Sequence, residues 1–206
     1  MIGILARTRR FAGRLARSTR ALGAVEFALT APFLILMYVG SYQLMDAISA
    51  YRKVTITARS LADLATLNET TTQDKMQAIL NAARQVMTPY STADSSLAIA
   101  QIAIDHDDNA SLVWACTNTD SPVCSTSSSA IKLSDITIPA DLKNPDTYLI
   151  YSRIIFHYKP TVAGTLIGPL TFSDDIFMNP RQSPSICLNI GTNPDGSTKC
   201  MGQEES

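Results

Sequence analysis

The sequence lacks the short motifs by which the common enzyme classes are recognised. It contains no G-x-S-x-G, no P-loop, no H-E-x-x-H and no glycine-rich phosphate fingerprint. It has only two histidines, His106 and His157, and lone histidines are more often structural than catalytic. We therefore predict that the protein is not an enzyme, has no catalytic residue and binds no cofactor.

Metal-binding patterns are incomplete. Neither pair of cysteines has C-x2-C spacing and both histidines are far from them in sequence, which disfavours a zinc site. The run Asp105-His-Asp-Asp-Asn109 matches the first half of a calcium loop. However, Ala110 stands where that loop needs glycine, and Cys116 where it needs a bidentate glutamate. We predict a solvated hairpin turn there, and no metal site.

Acidic residues are absent from the first twenty positions, which hold six arginines. The other 186 residues hold eleven Lys/Arg and eighteen Asp/Glu, so their net charge is 11 − 18 = −7. An acidic body argues against nucleic-acid binding, because phosphate contacts need a basic face. A basic leader before an apolar run is instead typical of a membrane orientation signal that keeps the leader in the cytoplasm.

An apolar segment follows the leader. Between Arg20 and Asp46 lie 25 residues with one charge, Glu26. A helix of this length rises about 38 Å, and the hydrocarbon core is roughly 30 Å thick. Its apolar side chains favour insertion by about 2 to 5 kcal/mol, which offsets about 3 kcal/mol for one acid. We predict a cytoplasmic leader (1–20), a single transmembrane helix (21–45) and an extracytoplasmic, periplasmic domain (46–206).

Two other interpretations of the apolar segment stay open. Ala47-Ile-Ser-Ala50 offers small residues to a signal peptidase, so the segment could be a cleaved secretory signal, although it is long for one. It could also be the buried core helix of a soluble protein, although that does not explain the six arginines. The even set of cysteines, all after the apolar segment, fits translocation into an oxidising compartment.

Four cysteines allow three disulfide connectivities. We predict Cys116–Cys124 and Cys187–Cys200, because both pairs close short loops that contain turn formers. Pro122 lies in the first loop and Pro194-Asp-Gly196 in the second. Closing loops of this length gives about 2.6 and 3 kcal/mol in the chain-entropy model.

The helical apolar pattern continues beyond the membrane segment. A stripe recurs at steps of three and four residues, which predicts that the helix extends to about Leu67 and buries this stripe against a partner surface. The stripe consists of Leu44, Ile48, Tyr51, Val54, Ala58, Leu61 and Ala65. Polar residues, including Thr57, lie opposite it. A second helix, with an apolar face from Met76 to Val86, follows a capping-box-like pair of Thr71 and Asp74 and ends before Pro89.

After the second helix the period changes to that of strands. The sequence predicts strands over 97–104, 111–117, 131–138 and 148–158, a mixed segment over 166–177, and a Pro/Gly/Ser-rich tail over 178–206 held by the last two cysteines. Helices first and strands afterwards predict an α+β fold: a long N-terminal helix, a second helix, and an antiparallel sheet.

Two residues of the apolar segment are unusual. Glu26 is an acid inside a membrane helix, which is by default a functional-site hypothesis. The alternative is that Glu26 reaches the cytoplasmic interface near Arg20 and has no further role. Pro32 removes the hydrogen bond to the carbonyl of Ala28 and predicts a kink.

The segment that contains them, Gly23-Ala-Val-Glu-Phe-Ala-Leu-Thr-Ala-Pro-Phe-Leu-Ile-Leu36, preceded by arginines, resembles the N-terminus of the TadE-like family. These are the minor pseudopilins of bacterial tight-adherence (Tad) pilus systems, with their TadG-like relatives. The core of the match is the run from Ala24 to Leu29, with Pro32 six residues after the acid. Less specific matches are Thr57–Leu64, Tyr158–Pro160 and Asn179–Arg181.

The resemblance implies a single-pass inner-membrane protein that acts in pilus assembly and surface adherence and is not an enzyme. Its implied partners are other pseudopilin subunits, the assembly machinery and a prepilin peptidase. Such precursors are cut after a small residue, with the acid at the fifth mature position. Counting back from Glu26 makes Leu22 the first mature residue and Ala21 the residue before the cut. A cut after Gly23 would put the acid third. Phe27 and Pro32 complete the implied processing and assembly segment.

A function of another class also fits the layout. The chain could be a single-span envelope binding protein whose outer domain captures a ligand or surface polymer.

Overall fold

The apolar residues after the basic leader form one end of a single long helix, α1 (Thr19–Thr66). The computed structural model describes residues 19–119, 123–126, 131–160, 164, 168–193 and 195–202, so the leader up to residue 18 lies outside the described part. Residues 23–42 are exposed apart from half-buried Ala31 and Val39. By length and composition, α1 is able to cross a membrane. It continues through Pro32 as one element, and its predicted extension to about residue 67 is confirmed.

The outer half of α1 lies in the core of the folded domain. Ala50, Val54, Ala58, Leu61 and Ala65 are buried on one face, so small side chains alternate with larger ones. Such small residues allow a sheet to approach the helix axis closely. The predicted stripe is therefore confirmed from Val54 to Ala65.

The N-terminal end of that stripe was predicted wrongly. Leu44, Ile48 and Tyr51 are 62%, 40% and 49% exposed, and the buried face includes Gln43 and Thr57 instead. The face of α1 that the domain covers is therefore rotated relative to the predicted stripe and includes polar side chains, some of which form hydrogen bonds. The Thr57 hydroxyl, for example, donates to the Lys53 carbonyl at 2.7 Å.

The second helix, α2 (Gln73–Gln85), buries Met76, Leu80 and Ala83. Its N-cap is Thr72, whose hydroxyl accepts the Lys75 N–H at 3.3 Å, so the prediction that Thr71 begins the helix was wrong by one residue. The reason is that residues 70–72 form a short strand, β1 (Thr70–Thr72), which buries the Thr71 side chain.

The larger sheet has five antiparallel strands in the order β4-β3-β2-β5-β6. Its strands are β2 (Ser95–Ile104), β3 (Ala110–Thr117), β4 (Cys124–Ser125), β5 (Thr147–Tyr158) and β6 (Leu170–Met178). The predicted hairpin turn joins β2 to β3. There the Asp105 carboxylate accepts the backbone N–H groups of Asp107 at 3.0 Å and Asn109 at 2.7 Å. Hydrogen bonds from Asn109 hold the pKa of Asp105 below its usual value.

A smaller sheet contains part of the predicted Pro/Gly/Ser-rich tail. It has the order β1-β7-β8, with β7 (Cys187–Thr192) parallel to β1 and β8 (Thr198–Cys200) antiparallel to β7. The tail is anchored just before β7, where the Trp114 indole donates to the Ile186 carbonyl at 3.2 Å and the Ile186 N–H donates to Gln101 at 2.8 Å. The predicted disulfide-held tail thus contains two strands that the sequence analysis did not predict.

The strand predicted over 131–138 is also wrong. This segment contains a single 3-10 turn, Leu133–Asp135, and no described strand. Its apolar side chains, including fully buried Ile131, pack on the second face of the sheet beside Ala98, Ala100 and Tyr151. The apolar pattern thus reflects burial against a sheet face and not pairing with a strand. With these corrections, the predicted α+β fold with a long apolar N-terminal helix is confirmed.

Candidate functional site

The residues predicted for processing and assembly lie at the apolar end of α1. Ala21 and Leu22 are helical, and their side chains lie outside the described part of the chain. A Cβ added at Gly23 would have no described atom within 4 Å. Phe27 is 68% exposed. The exposed Glu26 carboxylate makes no ion pair with any residue that the structure describes. These residues therefore lie together on one helix segment, which the folded domain does not cover.

Backbone carbonyls of this segment are partly satisfied by a side chain. The Thr30 hydroxyl is within hydrogen-bond distance of the carbonyls of Glu26 (3.1 Å) and Phe27 (3.2 Å). Two residues later, Pro32 has no N–H to donate to the carbonyl four residues earlier. The carbonyl that Pro32 leaves without a helical donor is that of Ala28, so the Thr30 hydroxyl, which reaches Glu26 and Phe27, does not replace the missing hydrogen bond.

A buried polar cluster lies where α1 enters the domain. The Tyr158 hydroxyl donates to Asp46 Oδ2 at 2.6 Å, and the Tyr90 hydroxyl donates to Asp46 Oδ1 at 3.0 Å. The Gln43 side-chain N–H donates to the Tyr158 oxygen at 2.6 Å. Gln43 and Tyr158 are each 2% exposed. We call these four residues, Gln43, Asp46, Tyr90 and Tyr158, the junction cluster.

Burial and the acidic neighbour keep both phenols protonated. Desolvation, followed by the hydrogen bond to Asp46, raises the pKa of Tyr90 to about 12, and the same causes raise the pKa of Tyr158. Both tyrosines are therefore donors at any physiological pH, and the Asp46 carboxylate is the acceptor. Hydrogen bonds to a charged acceptor are stronger than neutral ones, so the cluster fixes the height and rotation of α1 relative to the sheet.

Aromatic rings surround the junction cluster. Tyr90 packs against Phe156 at 5.9 Å between ring centroids, and Tyr158 packs against Phe172 at 5.7 Å. Tyr51, one helical turn above the cluster, meets Phe172 edge-on at 5.9 Å. These contacts exclude water from the phenols on the domain side and strengthen their hydrogen bonds to the carboxylate.

Two further contacts hold α1 against the sheet. The buried Ser152 hydroxyl donates to the Ala58 carbonyl at 2.9 Å. Arg181 donates to Asp63 at 2.7 Å and links the segment after β6 to the end of α1. The structure thus joins two of the weaker matches quoted for the resemblance, since Asp63 lies in the first and Arg181 in the third.

No family model matches the chain, and no curated protein or solved structure is significantly similar to it.

The structure contains both predicted disulfides, Cys116–Cys124 between β3 and β4, and Cys187–Cys200 between β7 and β8. Pro122 and Pro194, the turn formers expected inside the two loops, lie outside the described residues.

Within the described ranges, no three His, Cys, Asp or Glu side chains are grouped so as to hold a metal ion. His106 instead lies 3.3 Å from Asp146 on the exposed surface.

Sequence reasoning missed the junction cluster. A signal was present, because Asp46 is the first charge after the apolar run and Tyr158 ends the strongest predicted strand. The contact between Asp46 and Tyr158 could not be predicted, since these residues are 112 positions apart in sequence.

Proposed function

We propose that the chain is a membrane-anchored structural subunit of a bacterial pilus-assembly apparatus, similar to the TadE-like minor pseudopilins. The observation that supports this most directly is one continuous helix, α1, whose first half is apolar and exposed and whose second half is the core of a disulfide-bonded α+β domain. Such a subunit assembles by packing its exposed half-helix against those of neighbours and presents its domain outside the membrane.

The length of the uncharged segment favours a specific depth. Glu26 and Asp46 are 20 residues apart with no charge between them, so they are separated by about 30 Å along a helix. This equals the thickness of a hydrocarbon core, about 30 Å. With Asp46 held at the base of the domain, Glu26 lies at the opposite membrane face and Pro32 lies inside the bilayer. The arginine leader places that face in the cytoplasm and the domain in the periplasm.

Glu26 then acts in assembly or processing. At low dielectric an acid strongly favours a position opposite a positive charge. If the chain is cut after Ala21, the new amino group of Leu22 supplies that charge, on the same or a neighbouring subunit. If the chain is not cut, an arginine of a neighbouring leader supplies it.

The test is Glu26→Gln in a strain that depends on this protein for pilus-mediated adherence. The variant keeps the side-chain shape and should accumulate in the membrane with both disulfides formed. It should nevertheless lose adherence and co-purification with other pilus subunits. Glu69→Gln is the matched control, because Glu69 is an exposed acid beyond the membrane segment. Normal adherence of the Glu26→Gln strain would show that Glu26 only marks the interface.

A second experiment tests the topology. Reporter fusions placed after residue 70 should be active only outside the cytoplasm, because the six leading arginines retain the N-terminus inside. A reporter that is active in the cytoplasm would refute the proposed orientation. This measurement does not depend on pilus function.

A further inference from the structure

Two adjacent cations lie on α1 just above the point where the domain begins. Arg52 is exposed, Lys53 is half-buried, and neither forms an ion pair within the described residues. This is unexpected because residues 46–206 hold seventeen acids and eleven basic residues. Asp46, the acid on α1 nearest to them on the membrane side, already accepts hydrogen bonds from two tyrosines.

The height of these cations above the proposed membrane can be calculated from the rise per residue of α1. Gln43 is the first residue of α1 that the domain buries, and Tyr42, at 55% exposure, immediately precedes it. Tyrosine is enriched at the membrane–water interface, so the hydrocarbon core ends between Gln43 and Asp46, which is about 4.5 Å higher. Arg52 is nine residues further along, about 14 Å higher at the rise of an α-helix.

The direction of helical side chains brings the charge closer to the lipid. Side chains on a helix point toward its N-terminus and cover the preceding turn, about 5.4 Å. The guanidinium of Arg52 therefore reaches a level about 8 Å above Gln43. The headgroup layer extends about 5 to 8 Å beyond the hydrocarbon core. The same calculation places the charge of Arg59 about 19 Å above Gln43, which is too high to contact the headgroup layer.

We propose that Arg52 and Lys53 form a phospholipid-headgroup site that seats the outer domain on the surface of an anionic membrane. The phosphate groups supply the counter-charge that the described part of the chain does not provide. The long stems of both side chains lie along the helix while the charged ends reach toward the interface. The inference rests on the membrane insertion proposed above and adds a ligand for the base of the domain.

A protein partner is the competing occupant of this helix face. Ile48, Arg52, Ile56 and Arg59 are spaced by four, four and three residues, so a partner helix could lie along all of them. Such a partner would engage Arg52 and Arg59 equally. A lipid surface would engage only the lower of the two arginines, because they differ by about 10 Å in height. This difference provides a matched pair of variants.

The full-length chain is reconstituted in nanodiscs of phosphatidylcholine alone and in nanodiscs that also contain phosphatidylglycerol. Thermal unfolding is followed by fluorescence of Trp114, the single tryptophan of the chain, which is buried in the domain core. We expect phosphatidylglycerol to raise the unfolding midpoint by about 2 to 4 °C for each cation that contacts headgroups. Added salt should remove the shift.

The double variant Arg52→Gln/Lys53→Gln should unfold like the wild type in phosphatidylcholine and lose the shift. Arg59→Gln should keep the shift. A wild type that does not respond to phosphatidylglycerol would overturn the proposal. Equal losses for Arg59→Gln and the double variant would also overturn it and would indicate a protein partner. Failure of the chain to incorporate into nanodiscs would instead refute the membrane anchor, and the headgroup site with it.

Discussion

Replacing Tyr158 with Phe tests whether the junction cluster holds the domain to its helix. The change removes one hydroxyl, which donates to Asp46 at 2.6 Å and accepts from Gln43 at 2.6 Å. A hydrogen bond to a charged group contributes about 1.5 to 3 kcal/mol, and a buried polar group left unpaired costs about 1 to 3 kcal/mol. The Gln43 side chain would become wholly unpaired, since its carbonyl already has no partner within the described residues.

We expect the variant to lose about 3 kcal/mol of unfolding free energy, allowing for partial rehydration of the half-buried Asp46. For a domain of this size that corresponds to a fall of about 6 to 12 °C in the unfolding midpoint. The assay is thermal unfolding of the full-length chain in detergent, followed by tryptophan fluorescence. Tyr90→Phe is the control. It removes one hydroxyl proton that a half-buried phenol shares between Asp46 Oδ1 (3.0 Å) and the Asp46 carbonyl (3.1 Å), and should cost about 1 kcal/mol. A Tyr158→Phe midpoint within 2 °C of wild type, or a larger effect at Tyr90, would refute this reasoning.

Three further predictions use the same unfolding assay. Ser152→Ala should cost about 1 kcal/mol, because the buried hydroxyl donates to the Ala58 carbonyl. Joint replacement of Cys187 and Cys200 by Ser should cost about 3 kcal/mol, the loop-closure entropy of the thirteen-residue separation. The stability advantage of the wild type over Tyr90→Phe should be constant below about pH 10, the unfolded pKa of tyrosine, and should fall as pH rises toward 12.

Each of these predictions has a result that contradicts it. An unchanged midpoint for Ser152→Ala would mean that the hydroxyl contributes nothing to the packing of β5 on α1. A double cysteine variant as stable as the wild type would mean that the smaller sheet is held without its disulfide. The sign at alkaline pH is fixed, because a raised folded-state pKa means that the folded protein binds the proton more tightly. An advantage that grows above pH 10 would therefore contradict the burial of Tyr90.

The elements that the sequence predicted well are those whose signal is local. The extension of α1 could be read from residues 54–65, because apolar side chains recur with the helical period. The strand β5 could be read because Ile, Tyr and Phe dominate residues 148–158. Both disulfides follow from short loops, where sequence distance is a fair guide to spatial distance.

The features that the sequence did not predict depend on distant pairings. The strands β1 and β7 are 117 residues apart in the register that joins Thr70 to Cys187, so nothing local marks either as part of a sheet. The apolar pattern of segment 131–138 is compatible with two structures. Such side chains occur in strands, but here they cover a face of the sheet without forming a strand. The junction cluster was not predicted for the same reason. None of its members stands out in the sequence, and only the fold brings the two tyrosines to Asp46.

The continuity of α1 has a mechanical consequence. A rod of 48 residues is about 72 Å long, and the residues along its upper half, such as Val54 and Leu61, are the centre of the domain. With α1 inserted in a bilayer as proposed, a force applied to the domain would be transmitted along this helix, because no flexible linker separates the domain from it. Proteolytic cleavage between Val54 and Leu61 would not release an intact domain, because this part of α1 belongs to the domain core. The proposed membrane anchor and the domain are therefore one continuous element, and neither could leave the membrane without the other.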